Sequence, residues 1–205
     1  MKMSYAAPPA SSRRRYRMGV RADRAAATGE RILDAALAIF WERPVTEIPL
    51  DAVAERAGVS VQTVIRRFGG KTGLFAAVSE REYERVRRRR DEAEPGDVAG
   101  AVRVLLDHYE EMGDRVLRLL AAEQQLSGLR DLADRGRALH ETWCERVFAP
   151  ALAGRRGATR ERRLAQLVAV TDVLTWKLLR RDRGLSRRQT ELAMRELVEP
   201  LVGAA

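Results

Sequence analysis

A chain of 205 residues, one third of them charged and only 5% aromatic, is long enough for one sizeable core or two small ones. It contains no run of about 18 apolar residues, so neither a membrane span nor a membrane partner is expected. One cysteine, Cys144, and two histidines exclude an internal disulfide and leave too few soft ligands for a Cys/His zinc site, so no metal or cofactor is expected. The net charge of +9 is unevenly spread: seven basic side chains against Asp23 give residues 1–24 a net +6, while residues 25–80 sum to −1 and residues 81–205 to +4. Any affinity for a polyanion must therefore rest on the N-terminal arm and on a few well-placed side chains. The basic beginning is followed by no apolar stretch or small-residue cleavage site, which favours a cytoplasmic protein over a secreted one.

Residues 1–24, with Pro8, Pro9, Ser11 and Ser12 and few large apolar groups, cannot bury enough surface to repay ordering and are expected to be disordered in the free protein. Such an Arg-rich arm either stays solvated or settles into a minor groove. From Thr28, a fair N-cap, Ile32, Leu33, Ala36 and Phe40 recur at helical spacing, and Pro44 follows the end. After Pro49, Leu50, Val53, Ala54 and Ala57 form a second helical face, and Gly58 stands where a helix end needs a left-handed residue. Ser60 is placed to cap a third helix through about Arg67, with Val59, Val64 and Phe68 inward and Gly69–Gly70 ending it. Lys71 opens a longer helix carrying Leu74, Phe75, Val78, Tyr83 and Val86, which runs through Arg87–Arg90 into DEAEPGD, the clearest interior break. Beyond Asp97 the periodicity predicts helices over about 97–112, 114–126, 128–153, 159–183 and 187–202, the last opened by a Ser186/Gln189 capping box. Without any alternating strand pattern, the chain reads as all-α.

The stretch AERAGVSVQTVIRRFGGK, Ala54 to Lys71, meets the needs of a helix-turn-helix: a small residue where the helices approach, a glycine at the turn, and Val64 facing back to the bracing helix. The outward positions of the capped helix are then Val61, Gln62, Thr63, Ile65, Arg66 and Arg67. Glutamine pairs bidentately with adenine, threonine bonds to a base or touches a thymine methyl, and arginine pairs with guanine. The competing reading is a helical packing unit with accidental turn chemistry.

RILDAALAIF and LDAVAERAGVSVQTVIRRFGGKTGLFAAV, over Arg31 to Val78, resemble the tetracycline-repressor (TetR) family of bacterial transcriptional regulators. The resemblance implies a helix-turn-helix DNA-binding domain over 25–72 and a helical ligand-binding and dimerisation domain over 73–205. It implies a recognition helix over 60–67, in which Gln62 and Thr63 face bases, Arg67 stands at a phosphate-contacting position and Lys71 meets a phosphate beside the next helix. The DNA-binding set is then Ser60, Val61, Gln62, Thr63, Arg66, Arg67 and Lys71. Two positions depart from the family pattern: Ile65 replaces a frequent tyrosine, and Ile48–Pro49 replace a Thr-Thr pair. More of the phosphate binding is therefore expected from Arg66, Arg67 and the arm.

The same resemblance implies a homodimer on a pseudo-palindromic double-stranded DNA operator, most often as a repressor released by a small-molecule effector. Leu164, Leu167, Val168, Thr171, Leu174 and Leu178, and Ala193, Met194, Leu197, Val198 and Leu201, form apolar stripes suited to pairing. Asp172 interrupts the first stripe, either paired across an interface or partly exposed. On helix 128–153, Leu129, Leu132, Gly136, Leu139, Trp143 and Val147 trace an inward face, beside a row of Gly136, His140, Cys144 and Phe148. The candidate ligand residues are Tyr109, Met112, Gln124, His140, Trp143, Cys144 and Phe148, with His108 a weaker one, although core packing accounts equally for Trp143 and Phe148. An enzyme built on His140 and Cys144 lacks a third orienting group and an oxyanion-hole loop. A Cys144 redox sensor needs a lowered thiol pKa and an exposed edge. Arg85–Arg90 reads as a solvated helix end. The remaining alternative is an effector-independent DNA-binding repressor or architectural protein.

Overall fold

The computed structural model describes residues 10–42, 49–124 and 127–203, with side chains over these ranges except at 10–22, 41 and 127. The described residues are helical and turn structure with no strand. Two compact units divide the chain at Glu80/Arg81, eight residues later than the 72/73 boundary read from sequence.

In the first unit, α1 (Ala10–Glu42) begins well before Thr28. Pro8 and Pro9 are the last helix breakers before it, and the arginines and alanines that follow are good helix formers. Thr28 therefore sits inside the helix, its hydroxyl donating to the Arg24 carbonyl at 2.8 Å, and is not an N-cap. The expectation of disorder over 1–24 meets a helical backbone from Ala10 onward, while residues 1–9 and Ile48 lie outside the described residues. The elements α2 (Leu50–Ala57), α3 (Val61–Phe68) and the start of α4 (Lys71–Arg90) follow. Their core is small: Ile32, Ala36 and Ile39 of α1 enclose Val53 and Ala57 of α2, Val64 of α3, and Leu74 and Val78 of α4.

The second unit takes the rest of α4 and α5 (Val98–Ala122), α6 (Ser127–Val147), α7 (Ala149–Leu152), α8 (Gly157–Thr171), α9 (Val173–Lys177), a π-helical turn (Leu178–Asp182) and α10 (Arg187–Gly203). Two expected boundaries fall elsewhere. The helices expected over 97–112 and 114–126 are one element, because Gly113 lies in a helix interior with the buried ring of Trp176 packed against it. The helix expected over 159–183 is broken at Asp172, whose backbone is extended (ψ 157°) and whose Oδ1 caps α9 by accepting from the Leu174 amide at 2.8 Å. Ser186 and Gln189 form the predicted reciprocal box at 3.0 and 3.3 Å. Gly136 is exposed with nothing beside it, so the inward face of α6 is carried by Leu129, Ala133, Trp143 and Val147. Among the described residues no helix is long and apolar enough to cross a membrane.

A Cβ at Gly113 would overlap Cζ3 and Cη2 of Trp176, which is fully buried and fixed by its Nε1 bond to Glu110 and by Arg181 stacked 4.5 Å from its ring. Gly113→Ala should therefore cost about 1–3 kcal/mol despite better helix propensity. Gly136→Ala, with open space around it, should be stabilising by about 0.5–1 kcal/mol. Denaturant midpoints of the two variants measure the opposite signs.

Candidate functional site

The first candidate site is built around one turn. Gly58 adopts φ 64°, ψ 41°, a region open to glycine at little cost, and its amide and that of Val59 close onto Glu55 and Ala54 carbonyls at 3.1 and 3.0 Å. The chain leaves this cap extended at Ser60 (ψ 152°), whose Oγ accepts from the Thr63 amide at 3.2 Å and stands 2.9 Å from the Thr63 hydroxyl. Pro49, by contrast, caps α2 with no side-chain bond, and Asp51 in the first turn supplies the favourable negative charge there. Val64 is fully buried against α1 and α2, which fixes the rotation of α3 about its axis.

That rotation leaves Gln62, Ile65 (40% exposed), Arg66 and Arg67 outward, with Val61 and Thr63 half-buried. Arg67 does not simply project: its guanidinium lies over Gly29 of α1, where a Cβ would overlap it, and 5.9 Å from the Phe68 ring. Gly69 (φ 74°) ends α3, and Gly73 lets the Phe68 carbonyl approach α4 so closely that any side chain there would strike it. Lys71 is exposed at the first residue of α4, within the same short unit as Ser60 and Gln62. Thr63 is thus held at the cap, while Gln62 and Arg66 are the outward polar groups on a rigidly placed helix.

The second candidate site lies within the C-terminal unit and is centred on a residue the sequence reading assigned to a solvated tract. Arg85 and Arg89 of that tract pair with Glu111, and Arg87 with Glu84, but Arg90 is 5% exposed. Its Nη1 donates to His140 Nδ1 at 2.9 Å, and its Cζ lies 5.7 Å from the Trp143 ring. Because His140 Nδ1 accepts, its Nε2–H faces the Thr171 hydroxyl at 3.2 Å and the Val168 carbonyl at 3.3 Å. Thr171 passes its own proton to the Leu167 carbonyl at 2.6 Å, and Tyr109 donates to the Thr171 carbonyl at 2.9 Å. Cys144 Sγ stands 3.4 Å from the Thr171 hydroxyl and 3.8 Å from His140 Nε2.

Tyr109, His140, Trp143 and Cys144 are therefore brought together, with Phe148 edge-on to Trp143 at 5.8 Å. Met112 is buried elsewhere in α5, its sulfur accepting from Arg115, and Gln124 is exposed and bonded to Arg130. Of these candidates only Trp143 lines the cleft of about 280 Å³ between α4 and α6, whose walls also include Tyr83, Arg87, Arg90, Leu139 and Arg146. Only the long-range packing of α4 on α6 assembles that set. Burial first, with the nearby Arg90 charge second, pushes His108 and His140 down to about 3. Burial pushes the Cys144 thiol up to about 11 and raises Tyr109 above its ordinary value. Cys144 is fully buried and held as a thiol, opposite to the exposed thiolate that a redox sensor or nucleophile requires.

Both buried histidines bind protons more weakly when folded than the ordinary value near 6.5. Their contribution to stability is complete above about pH 6.5 and is lost as pH falls toward 3, because the unfolded chain takes up the protons first. Thermal midpoints should drop between pH 6.5 and 5, before most carboxylates titrate, and the joint His108→Gln/His140→Gln variant should have a flatter slope in that window.

Comparison with known proteins meets this geometry at the first site. The sequence profile of the bacterial regulatory proteins of the tetR family matches residues 32–78. The HTH-type transcriptional repressor KstR of Mycolicibacterium smegmatis is 42% identical over 64 residues, 31% of this chain and 31% of that repressor. The chain thus spans about a third of that relative's length. A candidate TetR-family transcriptional regulator from Rhodococcus sp. superposes with a TM-score of 0.65 at 19% identity, covering 86% of this chain and 99% of the other. A tetR-family transcriptional regulator from Streptomyces coelicolor gives 0.63 at 19% identity, covering 87% and 83%. These structures share the all-α fold beyond the first domain. The likeness in sequence is thus carried by the helix-turn-helix segment, residues 32–78, which matches the bacterial regulatory proteins of the tetR family.

Proposed function

We propose that the protein is a homodimeric transcriptional repressor that reads a pseudo-palindromic DNA operator and is released when a small molecule occupies its C-terminal unit. The observation that carries the reading is the outward Gln62/Arg66 face of α3, held in one orientation by the left-handed Gly58, the Ser60 cap and the buried Val64. A helix so fixed presents its early side chains to base edges in a major groove. Ser60, Val61 and Thr63 hold or flank that face, while Arg67 and Lys71 take phosphates. Repression agrees with the name of the KstR relative, which matches over 64 residues.

Dimerisation is supported by leucines that the chain's own core does not take up. Leu174 and Leu178, at the end of the α8–α9 segment, are 57% and 54% exposed, and Leu192 and Leu197 of α10 are 55% and 43% exposed. Their helical neighbours Met194 and Val198 are fully buried, so α10 has one face inside the unit and a second apolar face toward solvent. Such a patch fits a self-complementary two-fold interface. Two recognition helices then meet half-sites about one helical turn of DNA apart. The single helix α4 carries Lys71 at one end and cleft residues Arg87 and Arg90 at the other, which offers an effector a covalent route to the reading domain.

Selection of purified protein against random duplex DNA should enrich an inverted repeat. On that operator Gln62→Ala should lose about 1–3 kcal/mol of discrimination at one position of each half-site. Lys71→Ala should weaken all sequences alike and lower the salt slope by about one. Equal loss on every sequence from Gln62→Ala would remove its base-reading role. Leu174→Glu together with Leu178→Glu should give a folded monomer in sedimentation and lose most operator affinity; a dimer that persists would place the two-fold interface elsewhere.

A further inference from the structure

Arg90 is a permanently charged group almost removed from water, and among the described residues no carboxylate lies within 4 Å of it. Its Nε is buried without any hydrogen-bond partner. The groups at its guanidinium, His140, Trp143 and Tyr109, carry no negative charge, and burial keeps His108, His140, Tyr109 and Cys144 neutral. The acid nearest in sequence, Asp91, is half-exposed and lies 3.7 Å from Arg87 and from Arg146. Arg146 is itself spent on main-chain carbonyls, donating to those of Arg90 and Ala93 at 2.9 Å. The cluster therefore holds an uncompensated positive charge at a large desolvation cost. The fixing of Trp143 and Arg146 runs through the Arg90 carbonyl, so of these contacts only the bond to His140 Nδ1 uses the charged end of the side chain.

Arg90 is also a wall residue of the cleft between α4 and α6, beside Tyr83, Leu139, Thr142 and Trp143 and the charged Arg87, Asp91 and Arg146. We propose that this cleft binds a small organic monocarboxylate, its charged end on the Arg90 guanidinium and its apolar body among Tyr83, Leu139 and Trp143. Arg87 is paired with Glu84 and Asp91, and Arg146 with Asp91. Arg90 is thus the wall cation left without a counter-charge, which calls for a single negative charge of the kind a carboxylate brings to a guanidinium. The cleft of about 280 Å³ holds about nine water volumes, hence a ligand of about ten non-hydrogen atoms. The proposal names a ligand class for the effector reading and rests on that reading only for its consequence at DNA, since binding itself is measured without DNA.

The probes are benzoate and hexanoate against benzamide and hexanamide, titrated calorimetrically into the full chain. At least one carboxylate should bind about tenfold or more tightly than its amide, as expected for a charge-assisted bond. Arg90→Met should abolish that preference in a protein that stays folded, although it leaves the buried His140 Nδ1 without its donor. Should Arg90→Met fail to fold, Thr142→Trp, an exposed substitution on the cleft wall, should block the carboxylate in a folded protein. Equal binding of acid and amide, binding that survives Thr142→Trp or Arg90→Met, or no carboxylate binding up to about 10 mM overturns the proposal. Carboxylate binding that leaves operator affinity unchanged keeps the site and removes the effector reading; release of operator by a neutral compound alone, with no carboxylate bound, does the reverse.

Discussion

The left-handed backbone at Gly58 is the constraint on which the DNA-reading domain depends. At φ 64° a Cβ would be strained even though space around it is open, so the requirement is conformational and not steric crowding. Two amides close onto α2 through this residue, and the chain then leaves in the extended conformation that places the Ser60 oxygen on the Thr63 amide. Once those bonds are made, only one rotation of α3 buries Val64, and that rotation decides that Gln62 and Arg66 face outward. Gly73 serves the other end by letting the Phe68 carbonyl reach the first turn of α4. A helix of eight residues has too little intrinsic stability to hold itself, so its position is set by these two ends and one buried valine.

The C-terminal unit is organised on a different principle. Its core is a continuous apolar cluster in which Trp176, Leu105, Leu167 and Val198 are fully buried. Into its edge runs a chain of polar side chains, Arg90, His140, Thr171 and Cys144, in which most donors and acceptors are satisfied. Satisfied networks of this kind favour one arrangement of the helices that contribute to them, here α4, α6 and the end of α8. The unsatisfied member is Arg90 Nε, on the residue that borders the cleft. Specificity of packing and an unspent positive charge thus meet at the C-terminal end of the helix that begins with Lys71.

Local signals made the first domain legible. Gly58, Ser60, Gly69 and the spacing of Val53, Ala57 and Val64 lie within a few residues of the features they produce, so α2, the turn, α3 and the outward set around Gln62 could be read directly from the sequence. The same holds for the Ser186/Gln189 box and for the all-α class. Where an apolar period met an ambiguous residue, the sequence offered two outcomes. Gly113 reads as a break, yet it is a helix interior because Trp176, distant in the chain, needs the space. Asp172 reads as an acid in an apolar stripe, yet its side chain caps a new helix. Thr28 reads as a cap, but the helix runs back to Ala10.

For the second site the sequence supplied half of the residues. The four-residue spacing of His140, Cys144 and Phe148 announced one buried side of α6, and those residues do lie together with Tyr109. Arg90 carries no such mark, since an arginine at the end of a basic run looks like every other solvated arginine. Sequence by itself determined helix content, the turn chemistry and which side chains of α3 face outward, because these depend on backbone preferences and periodicity over a few residues. Only tertiary structure decided which arginine of the tract is buried, which helices are continuous and which side chains border a cleft, because each depends on contacts between residues some fifty or more positions apart.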